Sequence, residues 1–304
     1  MDTDEFSWQK TLTNRTFRNE DGKLCLYGYA KWEYIDEICN KKFNICFHLN
    51  NDKKKFCNYT TAILNNEEWI KKIIRTYSSK CKNFAIQINL YQGNKWVIQP
   101  DGSDNYDIEL FKQVLNDFPD IIFRIGYPGN APHILIDSIL KYNNVNILYD
   151  ESGGNGVLRT TLPLELNKKK PNNYGFTGGT NVDNFEQQII NYRKINPYAW
   201  TDMQTNLRVP TLFSRNTELL KEPKRNRSYG EIDFRVISTI NNKCNKLIEQ
   251  YNYNKDQLII SYVGLDESAP VEELKKYNID CIEFSICLAH QGTPEYPVYF
   301  DYPK

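Results

Sequence analysis

The feature that most constrains this chain is a rhythm. Eight short apolar runs recur along it: FNICFHL (43–49), FAIQINL (84–90), IIFRIGY (121–127), NILYD (146–150), YGFTG (174–178), YAWTDM (198–203), LIISYVG (258–264) and CIEFSICL (281–288). Each is rich in β-branched and aromatic residues and nearly continuous in its apolarity, as strands covered on both faces of a parallel sheet are. Helical candidates fill the intervals: NEEWIKKIIRTY (66–77), IELFKQVLNDF (108–118), APHILIDSILKY (131–142), NVDNFEQQIINYRK (181–194), EIDFRVISTINNKCNKLIEQY (231–251) and VEELKKY (271–277). Thr180 and Asp183 have the spacing of a capping box, and Pro270 after Ser268 opens a first turn. Eight such runs with helical segments between them in 304 residues predict a (β/α)8 TIM barrel. A doubly wound open sheet is the competing arrangement.

The first forty residues stand outside the repeat. KTLTNRTFR and KLCLYGYA flank the turn signal NEDG, which reads as an N-terminal β-hairpin, and AKWEYIDEI reads as a short helix feeding the first strand. No linker interrupts the chain, so 1–304 is expected to be one domain, with 1–40 as hairpin and helix and 41–304 as barrel. Two connections are long. Residues 204–230 carry Pro, Asn and several arginines, and 91–107 carry Trp96 and Asp101. Loops of that length in a compact domain tend to be functional or disordered.

Charge and cysteine usage narrow the partners. Thirty-eight basic and thirty-eight acidic residues cancel, so no global field draws the chain to nucleic acid or to a membrane surface. No apolar run approaches the ~20 residues of a membrane span, and MDTDEFSWQK lacks the layout of a signal peptide. Eight scattered cysteines form no CxxC pair, and the three histidines are isolated. The expectation is reduced thiols, a cytoplasmic location, no metal and no cofactor.

If the barrel forms, the residues just beyond each run converge on one mouth. Among them are His48, Asn89, Arg124, Asp150, Thr177, Asp202, Gln204 and Asp266. Carboxylates are costly to bury unpaired, so Asp150, Asp202 and Asp266 at three strand ends need a solvent, cationic or substrate partner. Asp150 heads DESGGNG, where Gly153, Gly154 and Gly156 allow backbone to approach a ligand or merely make a turn. In FTGGTNVDN, Gly178 and Gly179 end a strand ahead of a helix, an arrangement that exposes N–H groups to an anion. Arg208 in the next loop can add charge to the same anion.

The order ILYDESGGNG, YGFTGGTNVDN, YAWTDMQTNLR resembles the phosphoribosylanthranilate isomerase group of barrels over residues 145–208, and more loosely over 84–128. That family has a strand ending in Asp before a GGxG loop, then a strand ending in a glycine pair, then a strand ending in Asp. The resemblance implies that Asp150 is the general acid and that Gly178 and Gly179 bind phosphate. SYVGLDES and EFSICLAHQGTPEYP look like the family's first two strands, which implies a circular permutation with 281–288 closing against 43–49. In the rival arrangement EFSWQKTL is a barrel strand and the C-terminal unit packs outside. Val263 stands where the family has its general-base Cys, Val157 replaces a basic residue, and Met203 to Asn206 replace a glycine-containing phosphate loop.

Three functions follow as expectations. The first is an isomerase acting on a phosphorylated sugar-like molecule, with Asp150 as acid and Asp202, Asp266 or Cys46 as base. The second is a barrel that has lost catalysis and binds a metabolite or a protein partner. The third is a glycoside hydrolase built on two of the mouth carboxylates.

Overall fold

The computed structural model describes residues 16–18, 24–26, 30–50, 59–89, 91–92, 95–96, 107–127, 138–150, 174–209, 231–266, 269–288 and 294–295. Within them, eight parallel strands close a barrel: β1 (Asn44–Leu49), β2 (Asn83–Asn89), β3 (Ile122–Tyr127), β4 (Val145–Tyr149), β5 (Tyr174–Phe176), β6 (Trp200–Met203), β7 (Ile260–Val263) and β8 (Ile282–Leu288). Each strand pairs with its neighbours in sequence, and β8 pairs with β1 from Phe284 opposite Ile45 to Leu288 opposite Leu49. Closure excludes the open sheet. Because β8 is bonded to both β7 and β1, the C-terminal unit is a stave of the barrel rather than an external layer. A permuted barrel requires this closure, and an unpermuted one has it as well.

Seven helices are described: α1 (Trp32–Asn40), α2 (Tyr59–Leu64), α3 (Glu68–Ser78), α4 (Ile108–Asp117), α5 (Phe185–Ile195), α6 (Phe234–Tyr251) and α7 (Val271–Leu274). Their starts have local causes. The Asp107 carboxylate accepts from the N–H groups of Glu109 and Leu110 to begin α4, and Asp233 accepts from Arg235 N–H to begin α6. Helix α6 turns Ile237, Ile240, Cys244 and Leu247 inward at three- and four-residue spacing and stops at Asn252, which is left-handed with φ 51°.

Several sequence expectations shift. The helix predicted from 231 begins at Phe234, because Glu231–Ile232 pairs antiparallel with Arg208–Val209. That pairing draws together the two ends of the long 204–230 connection. The helix predicted from 181 begins at Phe185, and Thr180 is no capping-box residue, since its hydroxyl meets the Thr201 hydroxyl at 3.1 Å. Helix α2 was not expected. All six of its residues are buried, so it shows no polar face from which a helical period could be read. Most of the helix predicted over 131–142 lies outside the described residues. At the N-terminus Thr16–Arg18 pairs antiparallel with Leu24–Leu26, and the turn between them is outside the described residues.

The apolar core is the layer between strands and helices. Ile45, Phe47 and Leu49 of β1 join Phe284, Ile286 and Leu288 of β8 there, under Phe43, Tyr77 and Ile35. The alternate residues face the lumen, and many of them are polar or charged.

Candidate functional site

The eight runs read as nearly continuous apolar stretches, but the strands alternate. On β1, Ile45, Phe47 and Leu49 pack outward, leaving Cys46 and His48 for the lumen. Two contacts that span the barrel establish which face is inside. Arg124 of β3 forms a bidentate ion pair with Glu283 of β8, Nη2 lying 2.6 Å from Oε2. The same guanidinium lies 4.5 Å above the Trp200 ring of β6. Ser261 of β7 donates to Glu283 Oε1 at 2.9 Å. Where most barrels of this class stack branched aliphatics, this one has a buried ionic layer.

Above that layer is the C-terminal mouth. Asp202, the inward residue after Trp200 on β6, is 7% exposed. Burial pushes its carboxyl up to about 7, with the Thr177 hydroxyl opposing, the negative charge of Asp150 adding and the Arg124 cation opposing. Its Oδ1 is buried with no hydrogen-bond partner among the described residues. Asp150 follows β4 at the same end, half-buried, its N–H bonded to Tyr127 O at 3.0 Å. The structure thus brings Asp150 and Asp202 into one another's field.

The third predicted carboxylate is differently engaged. Asp266 Oδ2 lies 3.1 and 3.2 Å from the two terminal nitrogens of Arg208, and Nη2 of Arg208 also donates to Gly264 O. Arg208 is thus engaged by Asp266 and by the Gly264 carbonyl.

Gly178 and Gly179 are both left-handed, with φ 105° and 71°, conformations that suit glycine. The turn after them is laced by its own amides. Asn181 Oδ1 accepts from the N–H groups of Asp183 (2.9 Å) and Asn184 (3.1 Å), and Asn184 Oδ1 accepts from Asn181 N–H at 2.9 Å. Asn184 Nδ2 donates to Gly179 O, and Asn206 Nδ2 donates to Thr180 O. These bonds occupy the N–H groups of Asn181, Asp183 and Asn184, the donors immediately ahead of α5. Gly153, Gly154 and Gly156 lie outside the described residues, as do Asp101 and the side chain of Trp96.

Sequence reasoning placed His48 and Asn89 at the mouth without assigning them a partner, and it missed Cys287. His48 Nε2 is 2.7 Å from Asn89 Nδ2, and its Nδ1 is 3.6 Å from Cys287 Sγ. With the Asn89 amide donating to Nε2, the ring proton sits on Nδ1, facing sulfur. Burial lowers His48 to about 4, and burial raises the Cys287 thiol to about 12. This is a neutral pair near neutral pH. The alternation I-E-F-S-I-C-L in β8 was the signal that Glu283, Ser285 and Cys287 share the inner face.

At the opposite end, a cleft of about 600 Å³ is lined by Asn44, Lys82, Asp120, Asp256 and Asp280, with Arg124 and Glu283 at its inner limit. Among the described residues, no group of three or more His, Cys, Asp or Glu is placed to hold a metal ion, and no helix is long and apolar enough to cross a membrane. No protein-family model matches the chain, and no curated protein sequence matches it. What the mouth offers chemically is a carboxyl that changes charge near neutrality, a second carboxylate beside it and a paired glycine turn.

Proposed function

We propose that this barrel is an acid–base isomerase of the phosphoribosylanthranilate isomerase-like type, acting at its C-terminal mouth on a phosphorylated, sugar-like aldose. The observation that carries the reading is Asp202, a buried carboxyl with one oxygen unpartnered among the described residues, which burial pushes up to about 7. A group of that kind takes and returns protons at neutral pH. In the reactive form the two carboxyls share one proton: Asp150 carries it and opens the ring as the acid, and the ionised Asp202 removes the C2 proton as the base. The phosphate rests on the Gly178–Gly179 turn.

The same reading treats the chain as a circular permutation of that family's barrel. The motif-bearing strands are β4, β5 and β6 here, and β7 and β8 follow them in the places of the family's first two. Asp202 then supplies the base that Val263 does not.

Proton NMR in deuterium oxide tests the reading, with N-(5-phosphoribosyl)anthranilate and ribose 5-phosphate as probes. Loss of the C2 proton signal is expected with the wild type and not with Asp202→Asn or Asp150→Asn. Exchange undiminished in Asp202→Asn, or none with either probe, overturns it.

A second reading, a barrel that binds without turnover, draws on the laced turn at Asn181–Asn184 and on Arg208 being engaged by Asp266. Calorimetric binding of ribose 5-phosphate without C2 exchange would favour it. Hydrolysis of a glycosidic bond would use the same two carboxylates and would leave the C2 proton in place.

A further inference from the structure

Arg124 crosses the lumen. From β3 it reaches Glu283 on β8 through both terminal nitrogens, and its guanidinium lies 4.5 Å over the Trp200 ring on β6. Trp200 is itself fixed, because its indole lies against Gly175, where a Cβ would stand 2.3 Å from Cζ2. Trp200 and Asp202 are successive inward positions on β6. A group stacked on Trp200 therefore lies roughly 7 Å below Asp202 along the strand.

Resting on the reading of Asp202 as the base, we propose that Arg124 is a positioning residue for it: the guanidinium, clamped between Glu283 and Trp200, is a fixed cation under that carboxyl, and Glu283 sets how much of that cation Asp202 feels.

A buried ion pair is a poor way to gain stability alone, since desolvating two charges offsets much of their attraction. Arg124 Nε is also left without a hydrogen-bond partner among the described residues, so the pair is not optimised for itself. In a medium of low dielectric, a full charge at this distance acts strongly on a neighbouring acid. The other groups that face Asp202 are distributed around it. Asp150 stands at the end of β4 and Thr177 at the end of β5; Cys287 on β8 is backed by His48 on β1. After β7, the Arg208 cation is matched by Asp266. Arg124 is the cation that counters Asp150, and burial explains why Asp202 still holds a proton near neutrality.

The test reads Asp202 directly. Carboxyl carbon resonances of protein labelled at aspartate are followed against pH, and the Asp202 signal is assigned by its loss in Asp202→Asn. Glu283→Gln leaves the cation uncompensated, so the Asp202 midpoint should move down by about one pH unit. Arg124→Met removes the cation, so the midpoint should move up by a similar amount. Arg124→Lys, which keeps a charge without the fork, should remain close to wild type. Should Arg124→Met fail to fold, Glu283→Gln still decides between the outcomes, a downward shift supporting the proposal and an unmoved midpoint overturning it. A purely structural pair predicts unmoved midpoints, or shifts of the same sign in both variants, and either result overturns the proposal. The measurement needs no turnover. An Asp202 that titrates as expected without supporting isomerisation condemns the proposed activity alone, while an active enzyme with unmoved midpoints condemns only the role of Arg124. In an active enzyme the pH profile of kcat should shift with the NMR midpoint.

Discussion

Arg208 and Asp266 hold each other in an ion pair that is sealed from solvent, the two side chains being 3% and 0% exposed. The arginine comes from the start of the long β6–β7 connection and the aspartate from just beyond β7, so the pair ties that connection to the barrel rim beside Gly264. Removing one partner leaves the other charged, buried and without its counter-ion. Arg208→Met is expected to destabilise by about 3–5 kcal/mol in urea unfolding, and Arg208→Met with Asp266→Leu to recover most of the loss. If the double variant were no more stable than the single one, the pair would not be acting as a unit.

Asp202 makes a signed prediction about stability against pH. Its folded carboxyl titrates at about 7 against an ordinary value of 3.8. Between those values the native state holds a proton that the unfolded chain has released. Stability therefore falls as pH rises from about 4 to 7 and levels off above, with a total loss of up to roughly 4 kcal/mol. Asp202→Asn cannot ionise, so the difference between variant and wild type should grow in the variant's favour across that window. Thermal melts at half-unit pH steps check the slope. A flat difference would mean that Asp202 is hydrated in solution.

His48 predicts the opposite slope over part of the same range. Burial holds its ring near 4, below the ordinary 6.5. Between those values the unfolded chain gains a proton that the native ring refuses, so stability is lost as pH falls from about 6.5 to 4. The two groups partly cancel in the wild type. His48→Gln should unmask the downward slope of Asp202, and Asp202→Asn the upward slope of His48. The same series of melts, run on both variants, separates them.

The barrel was legible because its outer wall is apolar on a strict period. Ile45, Phe47 and Leu49, or Ile282, Phe284, Ile286 and Leu288, give each run its density of branched and aromatic residues. Asp150 and Asp202 were legible because a carboxylate at the end of an apolar run has to be accounted for. The ionic layer was not. Arg124 and Glu283 lie 159 residues apart, and each, read alone, looks like one polar interruption in a strand. Their meeting depends on a register that only closure defines. The partner of Arg208 was hidden for a related reason: sequence offered it only as added charge for an anion at the glycine pair, while the antiparallel pairing of Arg208–Val209 with Glu231–Ile232 goes with its engagement of Asp266.

Gly175 and Gly126 offer two steric tests of the lumen with different expected outcomes. A Cβ on Gly175 would sit 2.3 Å from Trp200 Cζ2 and 2.5 Å from Cε2, atoms of a rigid ring already stacked against Arg124. Neither the ring nor the backbone of β5 can yield cheaply, so Gly175→Ala should cost at least the 1–3 kcal/mol typical of overpacking, about that much or more by urea titration. It should also move the Trp200 fluorescence. A Cβ on Gly126 meets Asn89 Oδ1 at 2.4 Å, the far end of a side chain that can rotate, and Asn89 Cα at 3.3 Å, a tighter approach that needs a shift of only a few tenths of an ångström. Gly126→Ala should therefore cost less stability, but it displaces the amide that holds His48 Nε2. Its expected signature is a shift of the His48 ring resonances in a protein that still melts near the wild-type temperature. If Gly126→Ala proved the more destabilising of the two, the plug of Trp200 and Arg124 would not be the rigid element of the lumen.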